Sequence, residues 1–500
     1  MRTTREILLF WGCFTAVVAT AFGFVVRSFV ISQWGTTFEL TQTQQGEILG
    51  VGIWPFAVSI ILFSLVVDKI GYGRSMVLAF LCQAGSTVLL VIAGGYWSLY
   101  VGTFILAIGN GIVEAVANPV VATQFPTEKT KWLNILHAGW PAGLVLGGLM
   151  ALTIGPEIGW QYKIALILLP VLLYAGILIF CSFPVHERVA AGIPYREMLK
   201  EFGIVGALIT SSLIIFELGR VFDWPLSVAL AAIAALTVGF GLYVRALGRP
   251  FFIVILLIMI PLATTELGTD SWITSLMEPP MRKLGLQAGW VLVYTSAIMM
   301  VLRFCAGPIV HVLSPLGLLA VSSAVAMAGL LLLSHASTGL MILLAATVYG
   351  FGKSFFWPTM MGVVAEQSPR GGALTLNAVG GVGALSVGVV GLVFLGAVQD
   401  NYATDSLRQQ HPALYTRLVI EKEGLFGKYE AIDPQRIETL PPEQQQAVTD
   451  IEAAAKKNAL SVVAILPGVM LICYLILIVH FKSTGGYRAQ VLEPAGSLEG

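Results

Sequence analysis

The sequence contains few charged residues. Asp, Glu, Lys and Arg together make up 11% of its 500 residues, whereas ordinary globular proteins contain about 25%. A water-soluble fold of this size could not cover its surface with so few charges, so a soluble multidomain protein is excluded. Hydrophobic residues make up 57% of the chain, and we therefore expect most of the protein to lie in a lipid bilayer.

Several functional signatures are also missing. The five cysteines stand singly in apolar runs, without CxxC or Cys/His spacing, so neither a metal site nor a disulfide framework is expected. The net charge is zero, which gives no indication of a nucleic-acid partner. The sequence has no nucleophile elbow, phosphate-binding loop or His/Asp metal pattern, so we expect neither an enzyme nor a cofactor.

Long apolar runs dominate what the sequence does contain. A helix needs about 20 apolar residues to cross roughly 30 Å of hydrocarbon. About fourteen runs approach this length, at residues 7–31, 45–67, 75–94, 98–123, 132–154, 161–183, 203–221, 226–247, 251–276, 287–311, 316–334, 338–365, 372–397 and 459–481. The first run is too long for a signal peptide. The sequence therefore predicts an all-α polytopic membrane protein with about fourteen transmembrane helices.

The basic residues indicate an orientation in the membrane. Lys and Arg concentrate in segments on the same side as the N-terminus, as the positive-inside rule requires of cytoplasmic loops. We therefore expect a protein of the plasma or inner membrane with both termini in the cytoplasm. The polar segment 399–457 then lies on the outer side, between the last two spans, as a small cap or a flexible insertion.

The chain repeats itself at an offset of about 243 residues. The matching pairs are residues 27–32 with 270–275, Gly46 with Gly289, Asp68 with His311, 125–126 with 368–369, and 133–134 with 376–377. Several matches in the same order predict two pseudo-symmetric six-helix bundles with two extra central helices. The expected division is residues 1–183 and 251–500 for the bundles, and 184–250 for a linker and an inserted hairpin. Transporters built from two such halves bind their solute at the seam.

A loop motif supports this plan. Ser64-x-x-x-Asp68-Lys69-x-Gly71-x-Gly73-Arg74 resembles the loop signature of the major facilitator superfamily, and Arg303 to His311 resembles its degenerate second copy. The resemblance implies the two-bundle fold of that superfamily and transport by alternating access. It also implies a gating role for the charged residues of both copies: Asp68, Lys69, Arg74 and Arg303.

A narrower resemblance concerns the fourth and fifth spans. Glu114-Ala-Val-Ala-Asn118-Pro119, followed by Leu133-Asn134-Ile-Leu-His137, is similar to the fucose–galactose–glucose proton symporters. Those proteins carry a Glu four residues before an Asn-Pro pair. The acidic residue of their first span has no counterpart here, which leaves the coupling ion and the sugar specificity open. The resemblance implies proton-coupled uptake of a sugar.

Ionisable residues within the apolar runs need an explanation, because each costs at least about 2.5–3.5 kcal/mol at the centre of a bilayer. The main ones are Arg27, Glu114, Glu266, Asp270, Arg303 and Lys353. We expect Glu114 and Lys353, which are mates in the repeat, to contact the solute. We expect Glu114, and Asp270 or Glu266 acting against Arg27, to carry a coupling proton. The alternative is a permanent salt bridge that only holds the halves together.

Polar and aromatic residues in the spans could bind a hydroxylated solute. Besides Glu114 and Lys353, the candidates are Gln33, Asn118, Asn134, His137, Trp357 and Asn377. For Asn134 and Asn377, hydrogen bonding between helices is an equally open interpretation.

The function predicted from the sequence is secondary active transport. The main hypothesis is a monomer that takes up a sugar or similar small polar solute together with a proton. One alternative is a proton-linked exporter of amphipathic compounds or drugs. The other is a membrane sensor that transports nothing.

Overall fold

The computed structural model describes residues 3–155, 157–269, 273, 276–277, 281–282, 285–287, 289–424 and 427–492, without the side chains of 422–424 and 427. Apart from one β-hairpin, the regular structure of these residues is helical. Thirteen described helices are long and apolar enough to span a membrane, and a bent pair raises the number to fourteen. The prediction of an all-α polytopic membrane protein is confirmed.

The first part of the chain, here called the N-half, forms nine helical segments. They are α1 Thr4–Thr37, α2 Gln42–Gly50, α3 Trp54–Ile70, α4 Tyr72–Val91, α5 Tyr96–Gln124, α6 Lys129–His137, α7 Gly139–Thr153, α8 Trp160–Ala165 and α9 Leu168–Leu178. Three consecutive glycines at intervals of four residues let α7 approach α1 closely, since a Cβ at Gly139 would lie 2.9 Å from the Phe14 carbonyl oxygen.

A linker and a helical hairpin follow. They comprise α10 Glu187–Ala190, α11 Tyr195–Val221 and α12 Leu226–Val244. The α11 helix packs against the second half of the molecule, whereas α12 packs chiefly on α11. Large apolar side chains cover the outer surface of α12, as expected for a helix that faces lipid.

The remaining part, here called the C-half, is interrupted more often. Its helices are α13 Pro250–Ala263, a π-helix Thr264–Gly268, α14 Gly289–Phe304, α15 Ala306–Leu313, α16 Pro315–His335, α17 Gly339–Lys353, α18 Phe356–Gln367, a 3-10 turn Pro369–Gly371, α19 Gly372–Ser386, a second π-helix Val387–Gly391 and α20 Leu392–Gln410. The bent pair is α14 with α15, at 62°. Contacts of α3 with α19 and of α7 with α14 join the two halves.

A small cap separates α20 from the last span. Its elements are α21 Pro412–Leu418, β1 Val419–Gly424, β2 Gly427–Ile432, α22 Pro434–Ile437 and the first part of α23 Pro442–Val463, which leads into α24 Ile465–Ser483. The strands pair antiparallel, with Val419 opposite Ile432. Eight buried apolar residues, among them Leu407, Leu418 and Val448, form a core of its own. The polar segment is therefore a folded cap, because its helices are amphipathic and bury one face.

The chain ends identify the opposite face of the bundle. The side chain of Gln124 donates to the carbonyl oxygen of Glu6, and the backbone N–H of Gln490 donates to that of Glu366 at 2.7 Å. These contacts bring the start of α1, the end of α5, the end of α18 and the C-terminal segment to one side. We call this side the terminal face, and the side that carries the cap the cap face.

Candidate functional site

A cavity of about 70 Å³ lies at the seam between the halves. It has room for a few water molecules, since one water needs roughly 10–15 Å³ of such space. Its lining residues are Phe56, Ile60, Glu114, Asn118, His137, Trp140, Glu266, Leu267, Arg303, Trp357, Gly380 and Ala384. Both halves contribute ionisable groups to this wall, as expected for a solute site at the junction of two repeats.

The polar part of the N-half wall is a short hydrogen-bonded chain. The amide nitrogen of Asn118 donates to Glu114 Oε2 at 2.9 Å, and its amide oxygen lies 2.9 Å from His137 Nε2. Because the amide oxygen can only accept, Nε2 of His137 carries the hydrogen. Glu114 and Asn118 are four residues apart and therefore share one face of α5. The Glu114 carboxylate, 5% exposed, is thus held by a neutral group.

The polar part of the C-half wall is an ion pair. Arg303 Nη2 donates to Glu266 Oε1 at 2.8 Å, and the backbone N–H of Trp357 donates to Glu266 Oε2 at 2.9 Å. The other guanidinium nitrogens donate to the carbonyl oxygens of Ser354 at 2.7 Å and His137 at 2.8 Å. Since His137 belongs to the N-half, Arg303 links the two halves through the middle of the protein.

Interruptions in the helices make this arrangement possible. Glu266 lies in the π-helix Thr264–Gly268, where wider winding changes the direction of the side chains that follow. Between α17 and α18 the helix is broken at Ser354 and Phe355, which leaves the Ser354 carbonyl and the Trp357 N–H available to the ion pair. His137 ends α6, and its carbonyl accepts from Arg303.

Comparison with known proteins identifies the family of this chain. The family model described as Major Facilitator Superfamily matches residues 12–394. The chain belongs to this superfamily. The prediction of a major facilitator superfamily transporter is therefore confirmed.

Curated relatives match only part of the chain. The cis,cis-muconate transport protein of Acinetobacter baylyi is 23% identical over 167 residues, which are 33% of this chain and 40% of that protein. The putative transporter SVOPL of Mus musculus is 26% identical over 162 residues, or 32% of this chain and 30% of that protein. The chain thus matches less than half the length of each.

Solved structures match nearly the whole chain at low identity. FucP in the outward conformation has a TM-score of 0.60 at 15% identity, covering 94% of this chain and 99% of that one. The proton:xylose symporter XylE has 0.61 at 12%, covering 100% of both chains. The human organic anion transporter MFSD10 has 0.60 at 13%, covering 94% and 100%. At such identities the likeness shows the fold alone.

In this superfamily member, six of the residues singled out from the sequence line one cavity. They are Glu114, Asn118, His137, Glu266, Arg303 and Trp357. Arg303, expected to have a gating role, lines the central cavity, and that role stays a prediction. Either Asp270 or Glu266 was expected to act against Arg27. Of these two, Glu266 forms an ion pair with Arg303.

Lys353 and Arg27 are buried and are not among the residues that line the cavity. Lys353 Nζ lies 3.4 Å from the Glu266 carbonyl oxygen and over the ring of Tyr349. Arg27 is 2% exposed, and its Nε donates to the Gly23 carbonyl oxygen at 3.2 Å. No carboxylate among the described residues lies within 4.0 Å of Arg27. Asp270, its expected partner, lies outside the described residues.

Three other candidates occupy positions away from the cavity. Asn134 donates to the Thr130 carbonyl and to the Thr359 hydroxyl, at 2.9 and 3.1 Å. Asn377 donates to the Ala115 carbonyl at 3.0 Å. Both therefore connect helices of opposite halves, which matches the helix-packing interpretation. Gln33 lies in the last two turns of α1, and its side-chain oxygen is buried without a hydrogen-bond partner among the described residues.

The loop motif lies at the terminal face. Asp68 forms an ion pair of 2.5 Å with Arg188 of the linker, and Lys69 lies 4.7 Å from the ring centre of Tyr195. Arg74 lines an open cavity of about 340 Å³ beside them. Asp68 and Lys69 thus connect the loop to the segment that joins the halves, a location suited to the gating role that remains a prediction.

Sequence reasoning missed part of the wall. Phe56 and Ile60 line the cavity from α3, but nothing in the sequence distinguishes Phe56 from the other phenylalanines of a chain that contains 26. Ser354 was missed because its role depends on a main-chain carbonyl. The position of a break four residues before Pro358 is the one available signal, because proline removes a helical hydrogen bond there.

Proposed function

We propose that this superfamily member is a secondary active transporter that takes up a small polar solute, such as a sugar, together with a proton. The observation that carries the proposal is the central cavity, where a carboxylate held by a neutral partner faces an ion pair across the seam. The solute binds in this cavity, and the two halves rock around it so that it opens to one side of the membrane at a time.

Glu114 is the proton carrier in this proposal. Its partner Asn118 supplies a hydrogen bond but no charge, so the protonated and ionised forms can both be accommodated without breaking an ion pair. Glu266, in contrast, has Arg303 at 2.8 Å and a backbone N–H at 2.9 Å. Loss of its charge would remove the ion-pair partner of the buried Arg303 guanidinium. Asp270 and Arg27 remain a second proposed element of the coupling.

The lining suits a solute with hydroxyl groups and an apolar face. The indoles of Trp140 and Trp357 offer flat surfaces, while Asn118 and His137 offer hydrogen-bonding groups. A cavity of about 70 Å³ is too small for a monosaccharide, so binding takes place in a more open arrangement of the halves. The fold likeness to the fucose and xylose proton symporters supports this solute class.

Opening and closing involve Arg303. Its hydrogen bond to the His137 carbonyl crosses the seam, and His137 also contacts Asn118 next to Glu114. A proton or solute that changes the position of Asn118 therefore acts on the link between the halves. The same proposal includes a monomer in the plasma or inner membrane, with the terminal face in the cytoplasm.

The test is uptake into proteoliposomes under an imposed pH gradient, with a panel of labelled sugars and organic acids. Glu114→Gln should abolish gradient-driven accumulation and preserve exchange of solute between the two sides, because exchange needs no net proton movement. Glu47→Gln is the matched control, since Glu47 accepts from Tyr96 near the end of α2 toward the cap face. Wild-type accumulation in Glu114→Gln would refute the role of Glu114, and the absence of uptake for every solute would refute the solute class.

A further inference from the structure

Two pairs of neighbouring residues close the seam at the terminal face. In the N-half, Lys129 Nζ donates to the Ala365 carbonyl at 3.0 Å. Next to it, Thr130 donates to Glu366 Oε1 from its backbone N–H at 3.0 Å and from its hydroxyl at 2.6 Å. Lys129 and Thr130 begin α6, whereas Ala365 and Glu366 lie near the end of α18. The two bonds of Thr130 therefore hold one carboxylate across the junction of the halves.

On each side of this junction, one residue is also bound by the segment that follows the last span of its own half. On the N-half side, Glu187 of the linker accepts from Lys129 Nζ at 2.6 Å. On the C-half side, the Tyr487 hydroxyl donates to Glu366 Oε2 at 2.8 Å. The linker and the C-terminal segment thus occupy equivalent places in the two repeats, and each contacts a residue that also binds the opposite half.

The C-terminal segment is shaped for this contact. Gly485 and Gly486 adopt φ values of +104° and +93°, in the region that favours glycine, and reverse the chain at the end of α24. The ring of Tyr487 then packs on Phe481 with 5.2 Å between ring centres. Its hydroxyl is thereby directed at Glu366.

Main-chain bonds hold the segment in register with the end of α18. The backbone N–H of Gln490 donates to the Glu366 carbonyl at 2.7 Å, and the Gln367 amide donates to the Arg488 carbonyl at 2.8 Å. Arg249, which follows the inserted hairpin, donates to the Gln367 carbonyl. Both Glu366 and its neighbour are therefore fixed by segments outside the twelve-helix core.

We propose that residues 484–490, here called the terminal strap, are part of the gate at the terminal face, with Tyr487 positioning the Glu366 carboxylate to hold Thr130 across the seam. Opening of this face separates Thr130 from Glu366. A carboxylate already oriented by Tyr487 forms the closed contact with less loss of side-chain freedom, so the strap favours the closed form. The strap does not touch the solute cavity, and its effect is on the balance between open and closed forms.

The test measures access to a buried position at the gate. Ala122, 3% exposed, lines a small cavity next to His186 and Ala365. In a background without the five native cysteines, the rate at which maleimide labels Ala122→Cys reports opening of the terminal face. No solute or proton gradient is needed, so the result does not depend on the proposed uptake reaction.

The variants separate the hydroxyl from the rest of the strap. Tyr487→Phe keeps the ring on Phe481 and removes only the bond to Glu366. A chain ended after Gly486 removes the strap, whereas one ended after Gln490 keeps every contact described above and serves as its control. Tyr162→Phe, at a side chain that is 73% exposed, is the control for the substitution.

Labelling should become about tenfold faster in the chain ended after Gly486 and in Tyr487→Phe, because each loses a hydrogen bond to a charged group. Both controls should label at the parental rate. If the chain ended after Gly486 fails to yield a monodisperse protein, Tyr487→Phe alone decides, with its thermal unfolding as a check of the fold. Parental labelling rates in Tyr487→Phe would overturn the proposal, and so would faster labelling that the Gln490 control shares.

Discussion

The two halves hold their buried carboxylates by different means. In the N-half, Glu114 is bonded to Asn118, which in turn meets His137. In the C-half, Glu266 is bonded to the Arg303 guanidinium and to the Trp357 N–H. A neutral hydrogen-bond partner can be kept when a carboxylate changes its protonation, whereas an ion pair is costly to break. The two halves therefore supply one buried carboxylate with a neutral partner and, across the seam, a fixed ion pair.

Among the variants that test this difference, the one that breaks the ion pair should have the largest effect on stability. In Arg303→Met, the buried Glu266 carboxylate loses the guanidinium at 2.8 Å, and removal of one partner of a buried ion pair costs about 3–5 kcal/mol in a typical protein. We expect a large fall in the thermal unfolding temperature in detergent. The double variant Arg303→Met with Glu266→Gln should recover most of the loss, because the carboxylate is removed together with the guanidinium that bound it. Equal instability of the single and double variants would contradict this account of the pair.

The terminal face extends the comparison. On the N-half side, the linker that binds Lys129 contains a histidine, His186, whereas residues 484–490 on the C-half side contain none. His186 Nδ1 accepts from the Arg188 N–H at 3.0 Å, and His186 directly precedes Glu187 and Arg188, which bind Lys129 and Asp68. Burial lowers the pKa of His186 from 6.5 to about 4, opposed by Asp68 and assisted by Arg188 and Lys129. The folded state therefore favours the neutral imidazole.

Stability should consequently fall as the pH is lowered from 6.5 toward 4. Over this range the unfolded chain gains a proton that the folded chain excludes, and the loss reaches about 3 kcal/mol at most. Above pH 7.5 neither state binds the proton, and the contribution vanishes. In His186→Asn, an Asn oxygen can still cap α10, and the unfolding temperature should depend less on pH. If the unfolding temperature of His186→Asn depended on pH as strongly as that of the parent, groups other than His186 would cause the pH dependence.

The smallest expected effect concerns the neutral partner of Glu114. Asn118→Ala removes the hydrogen bond to Glu114 and leaves His137 Nε2 without its acceptor. We expect a loss of about 1–3 kcal/mol in the free energy of unfolding, less than for Arg303→Met, because no charge loses a cationic partner. Thermal unfolding of the two variants side by side checks this order. A greater loss in Asn118→Ala would reverse the distinction between the halves.

Much of the fold was predictable because membrane spans leave a strong signal. Backbone groups in lipid must be satisfied within each helix, so spans appear as apolar runs of fixed minimum length. The cap was not predictable in detail, since its segments are short and its core uses isolated residues such as Leu407 and Val448. Only the pairing of distant amphipathic elements makes these positions a core.

Most of the polar residues of the candidate site were predictable from the sequence, but the contacts between them mostly were not. Glu114 and Asn118 are four residues apart, so their contact follows from helical periodicity alone. The partner of Glu266 depends on the π-helix at Thr264–Gly268 and on the break at Ser354, neither of which the apolar pattern reveals. For the same reason the ion pair of Arg303 with Glu266 was not predicted. The sequence neighbours of Arg303 resemble a loop motif, while its guanidinium lies in the wall of the central cavity.

The cap has a practical consequence for observing this transporter at work. Two helices of the C-half, α20 and α23, continue from the bundle into the cap and pack against each other there. From Gly396 to Gln410 alone the helix extends about 20 Å. A tilt of the C-half relative to the N-half would therefore move the cap end of α20 by several ångströms. With one fluorophore on the cap and another on the short loop before α5, a change in the distance between them would report the rocking of the two halves.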